Sequence, residues 1–534
     1  MVIAQQGIAA TSQVLASQAA ADILSQGGSA ADAAITANAV LGVVEPMMNG
    51  IGGDLFVLYR EAKTGRLTGL NASGPSPRGL SPEFLASRGI QSMPESGIHT
   101  VTVPGAVDGW GKMHARFGKL PWKNLFATAI AYAEQGFPVQ EIIHELWSTP
   151  ETISKLKAVT ETARVFLPSG VPPEVGDVFR NPSLAGAYRL LAQEGTSAFY
   201  QGRIGAGILK LSQELGGTMT AEDLGCYSAE WVEPISIDYR GWRVFELPPN
   251  GQGLAALEML NVMEAAMVPS DPFAPAIIHH RIESMKLAFS DAYRYNADPR
   301  VVKVPVKKLI SKEYARERAA LIDPAAANGS IPAGDAIGSE TVYLAVVDRE
   351  GNMASWIQSI YSGFGSGLTV EGFPLQSRGA GFTLQKDHPN VLAGGKRPYH
   401  TIIPGFMERG DQHIAFGIMG GANQPMAHAQ FVSNFVDYGM NMQQAIEAPR
   451  FFKGSPLGCE VSIETRMPKS TLTRLAEMGH RIVIRAEYSQ EMGRGQAILH
   501  NSTTGVNFAG SDARADGAAI PEVVAPARAM EERI

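Results

Sequence analysis

Apolar residues recur every three to four positions over 120–134, 183–194, 203–216, 253–266 and 275–295, a spacing that predicts five helices. Residues 10–26 and 29–42 are alanine-rich with the same spacing, split by Gly27-Gly28, and predict two more. Short apolar runs at 54–60 and 67–71, joined by Lys63-Thr64-Gly65, read as two strands, as do 235–239 and 242–247. The stretch 325–339 is rich in Ala, Gly, Pro and Ser and is the best linker candidate. After it the pattern changes. Strands are predicted at 342–348, 353–359, 413–419, 481–485 and 496–500, with helices at 424–437, 442–447 and 469–478. No internal repeat or low-complexity tract interrupts the order. Helices mixed with strands on both sides of the linker predict a sheet sandwich covered by helices. Strands from 54–71 and from 342–359 can share one sheet stack, so the linker need not divide two domains.

Composition narrows the class. The chain has 534 residues, 45% hydrophobic and 18% charged, which suits a protein with a large core. A formal net charge of -7 without a basic run leaves no nucleic-acid footprint. Two cysteines, Cys226 and Cys459, fit a reducing compartment and no disulfide framework. The start, Met1-Val2-Ile3-Ala4-Gln5-Gln6, lacks the basic and apolar regions of a signal peptide. The apolar stretch 30–44 is too short and too polar to span a bilayer. A cytoplasmic location, with neither membrane nor nucleic acid as a partner, is the expectation.

The candidate chemistry lies at Gly338-Ser339-Glu340-Thr341, where a threonine opens the apolar run Val342–Val347. A cut before Thr341 would give one residue both a hydroxyl nucleophile and a free α-amine, a known arrangement for amide chemistry. Alone, a threonine here is an ordinary β-branched strand opener.

Further residues supply a context. Gly27-Gly28-Ser29-Ala30-Ala31-Asp32, Asn49-Gly50-Ile51-Gly52-Gly53, Val103-Pro104-Gly105-Ala106, Phe364-Gly365-Ser366-Gly367, Gly395-Lys396-Arg397-Pro398, Met419-Gly420-Gly421 and Ala448-Pro449-Arg450 occur in that order. With Thr341, this series resembles the γ-glutamyltransferase family of N-terminal-nucleophile hydrolases over nearly the whole chain. The resemblance implies an α+β fold, a four-layer αββα sandwich built jointly by a large segment, 1–340, and a small segment, 341–534. It implies autocatalytic cleavage between Glu340 and Thr341, with both segments remaining one structural domain. Thr341 would be the nucleophile, its freed amine the general base, and Ser359 a hydroxyl partner of the nucleophile. The backbone N–H groups of Gly420 and Gly421 would form the oxyanion hole. No cofactor and no metal are implied. The expected partners are a small-molecule amide and the chain's own two segments, with self-association left open.

Departures from the family pattern bear on substrate. The Arg that grips a glutamyl carboxylate in the transferases is replaced by Asn71, and the acidic pair that holds its ammonium is replaced by Gly379-Ala380-Gly381. Two serines become His400 and Thr401, and an asparagine becomes Tyr361. Arg378, in the same segment, is a natural fork for a carboxylate, and Tyr361, His400 and Thr401 can add hydrogen bonds. The altered pattern resembles the oxamate amidohydrolase-like branch, so a small carboxylate-bearing amide is the expected substrate. The alternatives are true γ-glutamyl transfer or glutathione hydrolysis, deacylation like that of the family's cephalosporin acylases, and an unprocessed relative that only binds a small acid. An S-x-x-K match at Ser154 and Lys63-Thr64-Gly65 stand in the wrong order for penicillin-recognising enzymes. His279-His280 are adjacent on a predicted helix and do not share a face.

Overall fold

The computed structural model describes residues 1–331, 340–455 and 457–523, with Glu340 placed by its backbone. Two seven-stranded antiparallel sheets stack face to face. The first runs, edge to edge, through Ala518–Pro521, Ile8–Thr11, Glu340–Val347, Met353–Tyr361, Asp54–Arg60, Leu67–Ala72 and Glu230–Val232. The second runs through Val2–Ala4, Val506–Ser511, Arg494–Asn501, Gln412–Met419, Gly405–Arg409, Trp242–Glu246 and Ile235–Tyr239. Each sheet therefore draws strands from both sides of Thr341.

The period-2 alternation of a strand explains the layers. Along Glu340–Val347, Tyr343, Ala345 and Val347 point into the core between the sheets, with Phe56, Leu58, Phe406 and Ile498. Val342, Leu344 and Val346 point the other way, under the helices Val14–Ser25, Ala30–Val44 and Ala106–Phe117. Both faces are dry, which is why this strand reads as an unbroken apolar run. The second sheet is covered on its outer face by Gly253–Met263, Pro275–Tyr295, Gln424–Tyr438 and Met442–Glu447. The result is a helix–sheet–sheet–helix stack. Among the described residues, no helix is long and apolar enough to cross a membrane.

Most predicted elements occur within a few residues of their expected bounds. The 10–26 helix is a correction: Ile8–Thr11 is a strand paired with Leu344–Val347, and the helix starts at Val14. The side chain of Gln13 accepts the N–H groups of Leu15 and Ala16 and so caps that helix. Burial against the central strand outweighs the helix propensity of the alanines. The predicted 120–134 helix begins as a 3-10 turn, Trp122–Phe126. Strands Gly405–Arg409, Glu460–Glu464 and Val506–Ser511 were not anticipated. Of the expected linker 325–339, residues 332–339 lie outside the described residues. The part before them is docked, with Ala327 N–H donating to the Met478 carbonyl and Lys286 Nζ to the Asn328 carbonyl.

The helix Ala30–Val44 is buried on every side, so its end must be satisfied from within. Ser29 Oγ accepts the Asp32 N–H at 3.1 Å and Asp32 Oδ2 accepts the Ser29 N–H at 3.0 Å, a reciprocal cap. The same Asp32 oxygen also accepts the N–H groups of Lys119, at 2.8 Å, and Leu120, at 3.1 Å. Ser29→Ala should lower stability by about 1 kcal/mol. Asp32→Ala strands several N–H groups, each costing about 1–3 kcal/mol, so thermal unfolding should show the larger drop in Tm for Asp32→Ala.

Candidate active site

Thr341 is the second residue of its strand and is fully buried. The ladder slips there: Glu340 pairs with Tyr361 and Val342 with Gln358, so Thr341 alone faces the two residues Ser359 and Ile360. Such an irregularity re-aims a side chain at the end of a ladder. Thr341 Oγ1 accepts an N–H from Gln424 Nε2 at 3.4 Å. Gln424 is itself fixed, its Oε1 accepting the Ile403 N–H at 3.0 Å.

Gln424 opens the helix that follows the glycine turn. Gly420 and Gly421 connect the strand Gln412–Met419 to this helix, with φ of 138° and 60°. Side chains rarely adopt that conformation, and glycine does so freely. The Gly421 carbonyl accepts Gln252 Nε2 at 2.8 Å, while neither glycine N–H donates to an acceptor among the described residues.

Behind Ser359 lies a buried charged set. Ser359 Oγ accepts the Tyr361 N–H at 2.8 Å and Arg378 Nη2 at 3.1 Å. Arg378 Nη1 donates to Thr401 Oγ1 at 2.8 Å, and the guanidinium lies 4.4 Å from the Tyr361 ring centroid. Tyr361 holds a φ of 82°, a strained conformation for an aromatic residue. Arg378 is fully buried, and burial lowers its pKa to about 10, so it remains charged at neutral pH. One N–H of each Nη is held by a site residue, while Nε is buried without a hydrogen-bond partner, so the guanidinium keeps donors beyond those that tie Ser359 to Thr401.

The nearby anion is Asp54, which sequence reasoning missed. It opens the strand Asp54–Arg60 directly opposite Ser359 in the ladder. Its Oδ1 accepts the N–H groups of Gly74, at 3.1 Å, and Gly105, at 3.2 Å, and Gln376 Nε2 at 3.1 Å. Its Oδ2 lies 3.1 Å from His400 Nε2. The Ile402 N–H donates to His400 Nδ1 at 3.3 Å, which leaves the ring hydrogen on Nε2, pointing at Asp54. Burial holds His400 neutral, its pKa well below the usual value, and lifts the Asp54 carboxyl up to about 7 against the pull of Arg378. The available signal for Asp54 was a lone carboxylate opening an otherwise apolar strand. Gln424 and Gln252 carried no such signal.

A cavity of about 650 Å³ opens beside these groups, with Tyr361, Gly381, Thr401 and Ala422 among its lining residues. Asn71, which the sequence reading set against the transferases' arginine, belongs to a neutral network, with its Nδ2 donating to Asn250 Oδ1 at 3.0 Å and its Oδ1 accepting the Ser73 N–H at 3.0 Å. Among the described residues, His279, Glu283 and His480 could together hold a metal. That cluster is internally paired, His279 with His480 at 2.8 Å and Glu283 with Lys286 at 2.6 Å.

Asp54 makes the site pH-sensitive. Its folded pKa of about 7 exceeds the ordinary 3.8, so the native state holds the proton more tightly. The stability it contributes is complete below the ordinary value and is lost as pH rises through about 7. The Tm difference between wild type and Asp54→Asn should therefore shift against the wild type between acid and mildly alkaline pH, as read by thermal unfolding at a series of pH values.

The chain matches known proteins along its length. A family model described as gamma-glutamyltranspeptidase matches residues 16–522. The glutathione hydrolase-like YwrD proenzyme of Bacillus subtilis is 35% identical over 530 residues, covering 97% of this chain and 99% of the relative. The oxamate amidohydrolase proenzyme of Klebsiella pneumoniae is 33% identical over 531 residues, covering 97% and 98%. The crystal structure of cephalosporin acylase from Bacillus halodurans matches with a TM-score of 0.91 at 41% identity, covering 98% of this chain and 97% of that one. With its stacked sheets and helical outer layers, the chain belongs to the γ-glutamyltranspeptidase family of N-terminal-nucleophile hydrolases.

Proposed function

We propose that Thr341 is the nucleophile of an amide hydrolase that matures by cutting its own chain. The observation that carries this reading is the buried Thr341 hydroxyl, set at a slipped ladder opposite Ser359 and bonded by Gln424, which opens the helix after the Gly420-Gly421 turn. In maturation, Oγ1 attacks the Glu340 carbonyl and the peptide C–N bond breaks to leave an ester. Water then cleaves the ester, giving the Glu340 carboxylate and a free amine on Thr341. The proenzyme names of the relatives support such a step. Because each sheet takes strands from both segments, 1–340 and 341–534 stay associated after the cut.

In turnover, the freed amine accepts the Oγ1 proton as the hydroxyl attacks the substrate carbonyl. The Gly420 and Gly421 N–H groups, without acceptors among the described residues, supply donors for the oxyanion. The leaving amine takes the proton, and water resolves the ester. Ser359 positions the nucleophile, itself held by Arg378 and the Tyr361 N–H.

The substrate reading is a carboxylate-bearing amide without an ammonium group, of the oxamate kind. Arg378 supplies a buried positive charge beside Tyr361 and Thr401, while neutral Asn71 and Gly381 stand where a glutamyl clamp would need charges. Location in the cytoplasm completes the proposal.

Two measurements test it. Purified wild type should run as two fragments with Thr341 at the N-terminus of the smaller one, and Thr341→Ala should remain one inactive chain; an intact, active wild type would refute the mechanism. Each missing charged contact costs about 1.5–3 kcal/mol, so kcat/KM for γ-glutamyl anilides should fall orders of magnitude below that for a carboxylate-bearing amide. Arg378→Lys loses the planar fork that ties Ser359 to Thr401, and KM for the preferred amide should rise markedly.

A further inference from the structure

The cavity beside Thr401 and Tyr361, about 650 Å³, is far larger than a small primary amide fills and falls in the range of about 300–1,000 Å³ that suits drug-sized ligands. Its polar walls are mostly paired within the protein. Asn390 Nδ2 donates to the Gly381 carbonyl at 2.6 Å, and its Oδ1 accepts the Tyr399 N–H at 2.9 Å. Asp291 is held by the Tyr314 hydroxyl at 2.9 Å and by Arg318 at 3.0 Å.

Three groups on the same walls are not satisfied in this way. The Tyr361 hydroxyl is buried without a hydrogen-bond partner. Asn296 Oδ1 is also buried and unpartnered, and the orientation of its amide is fixed because Nδ2 donates to the Gly251 carbonyl at 2.9 Å. Arg294 lines the cavity and is exposed, its guanidinium lies 5.2 Å from the Tyr295 ring centroid, and it makes no ion pair among the described residues. Since Arg318 neutralises Asp291, the Arg294 charge is the uncompensated one. The same cavity is lined by aromatic side chains, Phe382 and the pair Tyr293 and Tyr399, with ring centroids 5.8 Å apart. Buried polar atoms without protein partners are costly, so the Tyr361 hydroxyl and Asn296 Oδ1 are open to a bond from a ligand or a water.

We propose that this cavity binds a flat aromatic group carrying an N–H or O–H donor and an anionic substituent. The ring packs against Tyr293, Tyr399 and Phe382, the donor meets Asn296 Oδ1, and the anion meets Arg294. The Tyr361 hydroxyl bonds the ligand near the nucleophile. Building on the hydrolase reading, the substrate is then an amide with a carboxylated ring on its acyl or its amine side, rather than a minimal amide such as oxamate.

The test separates binding from turnover. Calorimetry on the mature wild type should show 4-aminobenzoate binding at least about tenfold tighter than aniline, which lacks the anion, or glycine, which lacks the ring. Arg294→Glu should remove that advantage and leave aniline unchanged. Tyr361→Phe deletes only an unpartnered hydroxyl, so it should fold normally and bind 4-aminobenzoate severalfold more weakly. Equal binding of the three ligands, or indifference to Arg294→Glu, overturns the proposal. In the hydrolysis arm, N-oxalyl-4-aminobenzoate places the ring on the amine side and 4-carbamoylbenzoate places it on the acyl side. Whichever exceeds oxamate in kcat/KM identifies the half that enters the cavity, and oxamate exceeding both overturns a ring-bearing substrate. If 4-aminobenzoate binds as expected and no amide is cleaved, the cavity assignment stands and the hydrolase reading falls.

Discussion

The structure depends on one strand that is buried on both faces. Glu340–Val347 pairs with Ile8–Thr11 on one side and with Met353–Tyr361 on the other. Slipping it by one residue would exchange Tyr343, Ala345 and Val347 with Val342, Leu344 and Val346, side chains of different volume in two packed cores. Its register is therefore rigid, and the irregularity at its first residues is the place where the ladder can yield. Thr341 occupies that place. A side chain at the end of so firmly held a strand needs few local contacts to be well aimed.

Around it, the site is assembled from the ends of other strands. Asp54 begins one strand and Tyr361 ends its neighbour, while Gly420 follows the last residue of a strand in the opposing sheet. The two sheets bring these ends together, and Gln252 ties the Gly421 carbonyl to the Thr401 carbonyl and the Tyr399 hydroxyl. The proposed cleavage before Thr341 would leave this assembly intact, because each sheet takes strands from both sides of that position.

Electrostatics makes the pocket wall a unit. A guanidinium taken fully out of water needs an anion and hydrogen bonds nearby. Arg378 has Asp54 in its field and donates to Ser359 and Thr401. Asp54 is in turn held by two backbone N–H groups, Gln376 and neutral His400. Tyr361, Arg378, His400 and Thr401 are joined through Arg378 and Asp54 into one unit, so a change at one bears on the others. The net charge of the wall they form follows the Asp54 proton, because Arg378 stays charged while Asp54 titrates at about 7.

The sequence by itself determined most of the element types, the amphipathic and buried runs, and the position of Thr341 at a strand mouth. Those features are local: a 3.6- or 2-residue period and a turn can be read within a short window. The ordered glycine motifs pointed to Ser359 and to the Gly420-Gly421 turn. Tertiary structure alone decided that Ile8–Thr11 is a strand, because its partner lies over 330 residues away and outweighs alanine's helix propensity. It alone decided that Arg378 faces Ser359 and Thr401, that Asp54 balances it and that Gln424 reaches Thr341. Side-chain partners, burial and the pKa shifts that follow from them depend on what the fold brings from distant parts of the chain, and no short window contains that information.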